Sequence, residues 1–339
     1  MVKKPNNIDE LLSSCPKNKT ICDNIIRAWS IINRDTYKKI LCSVSGGADS
    51  DVMLDIAWKC DKDNKVDYVW FDTGLEYQAT KDHLEYLEQK YNIQIIRYKA
   101  IKPIPLSCKE YGQPFISKYV SEMMYRLQRH GFQWEDKSFE ELYAEYPKCK
   151  SALMWWCNTH ESFQDGTRLS SFNIGYNRFL KEFIVANPPQ FKISGKCCSY
   201  AKKNVAHQAI KQNKYDLSLI GVRKAEGGVR ATRYKSCFDE KPDKCDQYRP
   251  IFWYLDSDKE EYCTHFGITH SDCYEKYGLK RTGCYGYPFG KNYKQELEIV
   301  KKFEPRMYNG ICNIFKESYE YTRKYKEFVK ERKNKVIKI

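Results

Sequence analysis

Two sets of residues have the types and spacing for chemistry. The first is "SGGADS", Ser45 to Ser50. Paired glycines at Gly46 and Gly47 let backbone N–H groups approach an anion closely. A helix starting after them adds its positive end, and Ser45 and Ser50 add hydroxyls. The loop holds no lysine, so it is not the G-x-x-x-x-G-K-[ST] phosphate loop. The second set is the cysteines. There are fifteen, and seven of them lie between Cys197 and Cys284. They recur in "KCCSYAKK", "YKSCFDEKPDKCDQYRPIFW" and "RTGCYGYPFG". Thiols gathered from separated segments of a cytosolic chain point to an iron–sulfur or zinc site rather than to disulfides.

These groups need elements to position them. "KKILCSV" reads as a strand and "DSDVMLDIAWKC" as the helix after the loop, with Asp49 or Ser50 near its start. "VDYVWFDTG" and "IQIIRYKAI" read as further strands, with the helix "ATKDHLEYLEQKY" between them. That alternation predicts an α/β fold with a parallel sheet flanked by helices. From about Pro103 to Pro189 the rhythm gives way to aromatic helical segments, which read as an insertion. "KCCSYAKKNVAHQAIKQN" is a helix, and "YDLSLIGVR" is another strand. Residues 224–290 read as loop-rich, and two helices follow. The expected organisation is N-terminal helices at 1–35 and a nucleotide-binding domain at 36–223 with its insertion at about 103–189. A cysteine-rich region at 224–292 completes the site, and helices with a basic tail fill 293–339.

The 339 residues are 42% hydrophobic and 30% charged, which suits a packed globule. Nothing is long and apolar enough to span a bilayer, and the N-terminus lacks a secretory core, so a cytoplasmic location is expected. A net charge of +14 favours a polyanionic partner such as DNA, RNA or a nucleotide. The six histidines show no metal-site spacing, and His265 and His270 read as surface or capping residues. Cys263 and Cys273 read as packing.

"SGGADS" resembles the S-G-G-x-D-S loop of the PP-loop (adenine nucleotide alpha hydrolase-like) ATP pyrophosphatases. "FDTGLEYQAT" and "GVRKAEGGVR" resemble elements of the PAPS (phosphoadenosine phosphosulfate) reductase-like branch of that superfamily. That branch includes the DNA phosphorothioation sulfurtransferases and phage relatives. The resemblance implies that Ser45, Gly46, Gly47, Asp49 and Ser50 bind an adenine nucleotide such as ATP. It places Asp72, Thr73, Gly74 and Glu76 at the end of the second strand. It also brings Arg223 and Arg230 to phosphate or sulfate groups, where a guanidinium fork suits paired oxygens. Asp49, Arg223 and Arg230 are the expected catalytic residues, and Asp49 or Asp72 could help to place Mg²⁺.

Relatives in this branch commonly carry a [4Fe-4S] cluster near a C-x-x-C-P-F-G-like element. Here Cys284 is present, but Tyr287 stands where the second cysteine would be. The expected ligands are Cys198, Cys237, Cys284 and, as a substitute, Cys245. Alternatives are an open iron held by three cysteines, or loss of the cluster. The implied activity is an ATP-dependent sulfurtransferase that splits ATP to AMP and pyrophosphate to activate an acceptor. The implied acceptor is nucleic acid, and a cysteine desulfurase could donate the sulfur. The other readings are a PAPS reductase-like oxidoreductase, which the missing C-terminal cysteine motif opposes, and a nucleotide-sensing or nucleic-acid-binding module.

Overall fold

The computed structural model describes residues 3–161, 169–227, 233–241, 244–280, 282–284, 286–288 and 293–337. Along the chain, α1 (Ile8–Ser13) and α2 (Lys19–Ile32) precede β1 (Ile40–Ser43), α3 (Ala48–Cys60), β2 (Val66–Asp72), α4 (Gln78–Tyr91) and β3 (Ile95–Lys99). Next come α5 (Ile104–Tyr111), α6 (Lys118–Arg129), α7 (Phe139–Glu145), α8 (Lys150–Trp156) and α9 (Leu180–Ala186). Then follow α10 (Lys196–Cys198), α11 (Asn204–Asn213), β4 (Leu217–Leu219), β5 (Phe238–Asp239) and β6 (Asp246–Tyr248). The last are α12 (Asp256–Phe266), α13 (Asp272–Glu275), α14 (Tyr293–Phe303), α15 (Pro305–Ile314) and α16 (Lys316–Ile337). Among the described residues no helix is long and apolar enough to cross a membrane.

The chain divides into two compact units, residues 1–101 with 201–284, and residues 102–200 with 285–339. The first unit holds the sheet, in the order β3-β2-β1-β4-β6-β5. Its strands pair in parallel except β5 with β6. The expected mixed α/β architecture is therefore present. β1 is central, with Cys42 opposite Tyr68 on one side and Leu219 on the other. The chain winds from β1 outward to β3, then returns to the far side of β1 as β4. Such a reversal leaves a crevice at the strands' carboxyl ends, where α/β sheets bind ligands.

α3 is buried along almost its whole length, because helices pack on it from two sides. Asp55 anchors it, accepting from Lys59 Nζ at 2.6 Å, Tyr91 OH at 2.9 Å and Tyr262 OH at 2.6 Å. Burying these charges is tolerable because they are paired and hydrogen-bonded. Lys59 also lies over the Phe266 ring at 3.2 Å.

The region expected to be loop-rich contains α12 and β6. "DSDKEEYCTHF" hides its helix because it offers the core little beyond Tyr262 and Phe266, one turn apart. Asp258 Oδ2 accepts the Leu255 N–H at 2.8 Å at its start, and Gly267 ends it in the left-handed region at φ +60°.

The second unit has its own aromatic core, with Phe115, Trp155, Trp156 and Phe183 essentially sealed from solvent. Tyr321, Tyr325 and Phe328, at helical spacing on α16, pack their rings tilted or edge-on against Phe183, with centroids 4.9–5.6 Å away. The inserted helices and the C-terminal helix therefore share one core.

Candidate active site

The loop between β1 and α3 turns at Gly46, whose φ of +67° is a left-handed conformation that glycine adopts without strain. Gly47 caps α3 with no side-chain hydrogen bond. The helix thus starts at Ala48, with Asp49 and Ser50 in its first turn as expected, and the Tyr274 hydroxyl, rather than its own N-cap residue, stands at the Ala48 N–H. Ser50 closes the loop, its Oγ accepting the Ser45 N–H at 2.8 Å. Ser50 also lines the cavity on which the loop opens. Gly221, just after β4, backs the loop closely. A Cβ there would lie 3.3 Å from the Asp49 carbonyl oxygen.

The loop opens on a polar cavity of about 1090 Å³, lined by Ser45, Gly47, Asp49, Arg223, Asp256, Lys259 and others. Arg223 is buried, and donates from Nε to Asp49 Oδ1 at 2.9 Å and from Nη1 to Asp256 Oδ1 at 2.8 Å. Lys259 Nζ stands 3.2 Å from the same Asp49 oxygen. Burial works against the Arg223 charge, but Asp49 and Asp256 outweigh it and hold its pKa above the ordinary value. The cavity therefore keeps a fixed cation beside the helix end. Asp256, Lys259 and Cys263 follow one another by three and four residues, so α12 turns one face to the cavity and the Tyr262 face to the core.

Asp51, in the first turn of α3, is completely buried between two histidines. His270 Nδ1 lies 2.8 Å from Asp51 Oδ2, and His83 Nε2 lies 3.1 Å from Oδ1. Burial would raise the Asp51 pKa, but His270 and His83 reverse this and lower it. Burial likewise lowers that of His270, and hydrogen bonds to Asp51 and Cys263 carry it up to about 10. The other groups facing His270 are the Tyr274 ring and Glu275, whose carboxylate accepts the His270 N–H.

A raised histidine pKa stabilises the fold fully below the unfolded value of about 6.5, and that stability is lost as pH rises toward the folded value. The lowered carboxylate pKa contributes above about 3.9 and is lost as pH falls. The melting temperature is thus expected to fall between roughly pH 6.5 and pH 10, and His270→Gln should flatten that slope. Melting curves across this range test it, and parallel slopes in the two proteins would refute the assignment.

Asp72, Thr73, Gly74 and Glu76 form a turn at the end of β2. Asp72 Oδ1 accepts the Gly74 N–H at 2.8 Å, and Thr73 Oγ1 donates to Glu76 Oε1 at 2.7 Å. Burial raises the Glu76 pKa despite Lys202 at 3.8 Å. None of these four residues lines the cavity around the loop. Arg230 lies outside the described residues.

In the first unit, the expected cluster ligands Cys237, Cys245 and Cys284 stand apart. Cys284 Sγ is 3.8 Å from Thr73 Oγ1. Cys237 Sγ accepts from Arg27 Nη1 at 3.2 Å. Cys245 packs against Leu41, Val69 and Tyr215, and burial pushes its thiol up to about 12. Cys237 and Cys245 sit at opposite ends of the β5–β6 ribbon, about four residues or 13 Å apart. In the second unit, Cys197 and Cys198 face the Tyr287 hydroxyl at 2.9 Å and 3.4 Å. Contact with Cys108 and burial raise the Cys197 thiol to about 12, and contact with Cys197 and burial raise Cys198. Among the described residues no group of three or more His, Cys, Asp or Glu side chains could hold a metal ion. Within the first unit, Cys237, Cys245 and Cys284 are therefore not gathered into a metal-holding group. The three-cysteine version fails at Cys237, which turns to Arg27. Of the two carboxylates expected to help place Mg²⁺, Asp49 lines the cavity and Asp72 does not.

Sequence reasoning gave Lys259 and Asp51 no role and read His270 as a surface or capping residue, whereas His270 is held against the buried Asp51 carboxylate. The only local signal was the spacing of Asp256, Lys259 and Cys263.

Residues 39–129 match the family described as the phosphoadenosine phosphosulfate reductase domain. The uncharacterized protein MJ0066 of Methanocaldococcus jannaschii is 37% identical over 102 residues, 29% of this chain. The match spans only 21% of that relative. The PAPS reductase of Candida auris, in a phosphate complex, has a TM-score of 0.41 at 13% identity, covering 84% of this chain and 97% of that one. The U34-tRNA thiolase NcsA of Methanococcus maripaludis, with its [4Fe-4S] cluster, has a TM-score of 0.38 at 12% identity, covering 90% and 78%.

Proposed function

We propose that this chain, which carries a PAPS reductase-like domain of the PP-loop superfamily, binds ATP at the "SGGADS" loop and splits it between the α- and β-phosphates. One observation carries the reading. A glycine turn and the start of α3, whose N-cap residue Gly47 occupies no backbone N–H with a side chain, open beside Arg223 and Lys259 on a cavity large enough for a nucleotide. Backbone N–H groups and fixed cations placed there stabilise negative charge on departing pyrophosphate. The reaction leaves AMP on an acceptor oxygen, which a sulfur nucleophile can displace. The net charge of +14 supports a nucleic acid acceptor. Mg²⁺ would arrive with the triphosphate. The lack of a fitting cysteine set leaves the reading without an iron–sulfur step.

The test is pyrophosphate and AMP release from ATP by the full chain, with and without DNA or RNA. Release that rises with nucleic acid, and falls as salt is added, is the expected result. Orthophosphate and ADP would overturn it. Sulfite release from PAPS with a thioredoxin-type reductant, in place of pyrophosphate release, would establish the reductase alternative. ATP binding without turnover would establish the binding module.

A further inference from the structure

The cavity face of α12 carries one group that nucleotide binding does not use. Cys263 lies four residues after Lys259, is half-buried, and lines the same cavity as Ser45 and Gly47. Its Sγ is 3.7 Å from His270 Nε2. The other ring nitrogen of His270 meets the buried carboxylate of Asp51. A thiol, an imidazole and a carboxylate on the far nitrogen stand in the order nucleophile, base and orienting group. His270 favours the charged form at neutral pH, so it suits a counter-ion to a thiolate.

We propose that Cys263 is the nucleophilic thiol of this cavity, with His270 holding its proton and Asp51 positioning His270, and that it accepts sulfane sulfur from a persulfide or polysulfide donor. The sulfur-accepting role rests on reading the site as a sulfur-transfer centre. With the Cys263 proton already held at His270 Nε2, the Cys263 thiolate attacks the outer sulfur of the donor R–S–SH. A new S–S bond forms at Cys263 as the donor's S–S bond breaks. R–S⁻ leaves and takes the proton from His270. Cys263–SH and R–S–SH thus become Cys263–S–SH and R–SH, without an external oxidant or reductant. The new terminal sulfur faces the cavity that holds the loop.

Asp51 between two histidines could also serve only to fasten α3 to its neighbours. Such a fastening would leave thiol reactivity unmoved, and reactivity is therefore the readout. The full-length protein is treated with iodoacetamide from about pH 6 to pH 9, and each cysteine's alkylation rate is read by peptide mass spectrometry. Cys263 is expected to react at least roughly tenfold faster than partly exposed Cys312 at about pH 6.5. His270→Gln should remove that advantage. Sodium tetrasulfide should then add one sulfur atom at Cys263 in the wild type and none in Cys263→Ser. Should His270→Gln not fold, the wild-type comparison with Cys312 still decides. Equal rates for the two thiols, an unchanged rate in a folded His270→Gln, or no sulfur on Cys263 would overturn the proposal. ATP is included in a parallel arm. Fast alkylation that ATP fails to slow would contradict the nucleotide reading while leaving the thiol site intact.

Discussion

Arg223→Ala is expected to lower pyrophosphate release by about 10²–10³-fold, the scale seen when a fixed transition-state donor is removed. Arg223 is the buried cation of the cavity, bonded on two sides by Asp49 and Asp256. Its orientation costs nothing at the moment of reaction, because those carboxylates already hold it. Arg223→Lys should recover little, since an ammonium cannot reproduce the two separate donations of the planar fork. The fold should suffer far less than the activity. Asp49 keeps Lys259 at 3.2 Å, and the Asp256 side chain is 86% exposed, so neither carboxylate is left buried alone. A stability loss of about 1–2 kcal/mol is expected, below the 3–5 kcal/mol for stranding a buried charge. Pyrophosphate assays and urea unfolding on the same preparations separate the two effects. A variant that keeps a tenth of the wild-type rate would remove Arg223 from the chemistry.

The parts of this site legible in the sequence were the local ones. The strand, the glycine pair and the helix after them are contiguous, so their pattern could be read directly. Arg223 could be placed because "GVRKAEGGVR" resembles an element of the PAPS reductase-like branch, and the structure shows that it follows a strand beside β1. The thiol site was not legible, since His270 and Asp51 are 219 residues apart and only folding brings them within 2.8 Å. α12 was missed because its cavity face is polar, and a polar cavity face looks like a loop when its partners are unseen. The reading of Cys237 and Cys245 erred for the opposite reason. Their closeness in sequence suggested shared ligation, but an extended ribbon separates residues that a turn would have gathered. Tyr287 was correctly noticed as a departure. Its hydroxyl now lies against Cys197 and Cys198, so the position remains next to thiols even though it supplies none.

Gly46→Ala should damage both folding and nucleotide binding, for two separable reasons. The residue sits at φ +67°, where any Cβ costs about 1–2 kcal/mol. That Cβ would also lie 2.7 Å from Thr80 Cγ2. Thr80 is buried near the start of α4, and its hydroxyl is 3.7 Å from the buried Cys273 thiol, so it cannot simply swing away. Relief must come from the loop, which is the part that shapes the anion site. A total destabilisation of about 2–3 kcal/mol is expected, with ATP binding weakened more than roughly tenfold. Thr80→Ser removes the clashing methyl and keeps the hydroxyl. The double variant Gly46→Ala with Thr80→Ser should therefore regain the steric share and retain the backbone share. A double-mutant cycle in urea would then give a coupling of about 1 kcal/mol. If the double variant is no more stable than the two single losses added together, the Thr80 methyl is not what reserves this position for glycine. The left-handed backbone alone would then account for the whole cost.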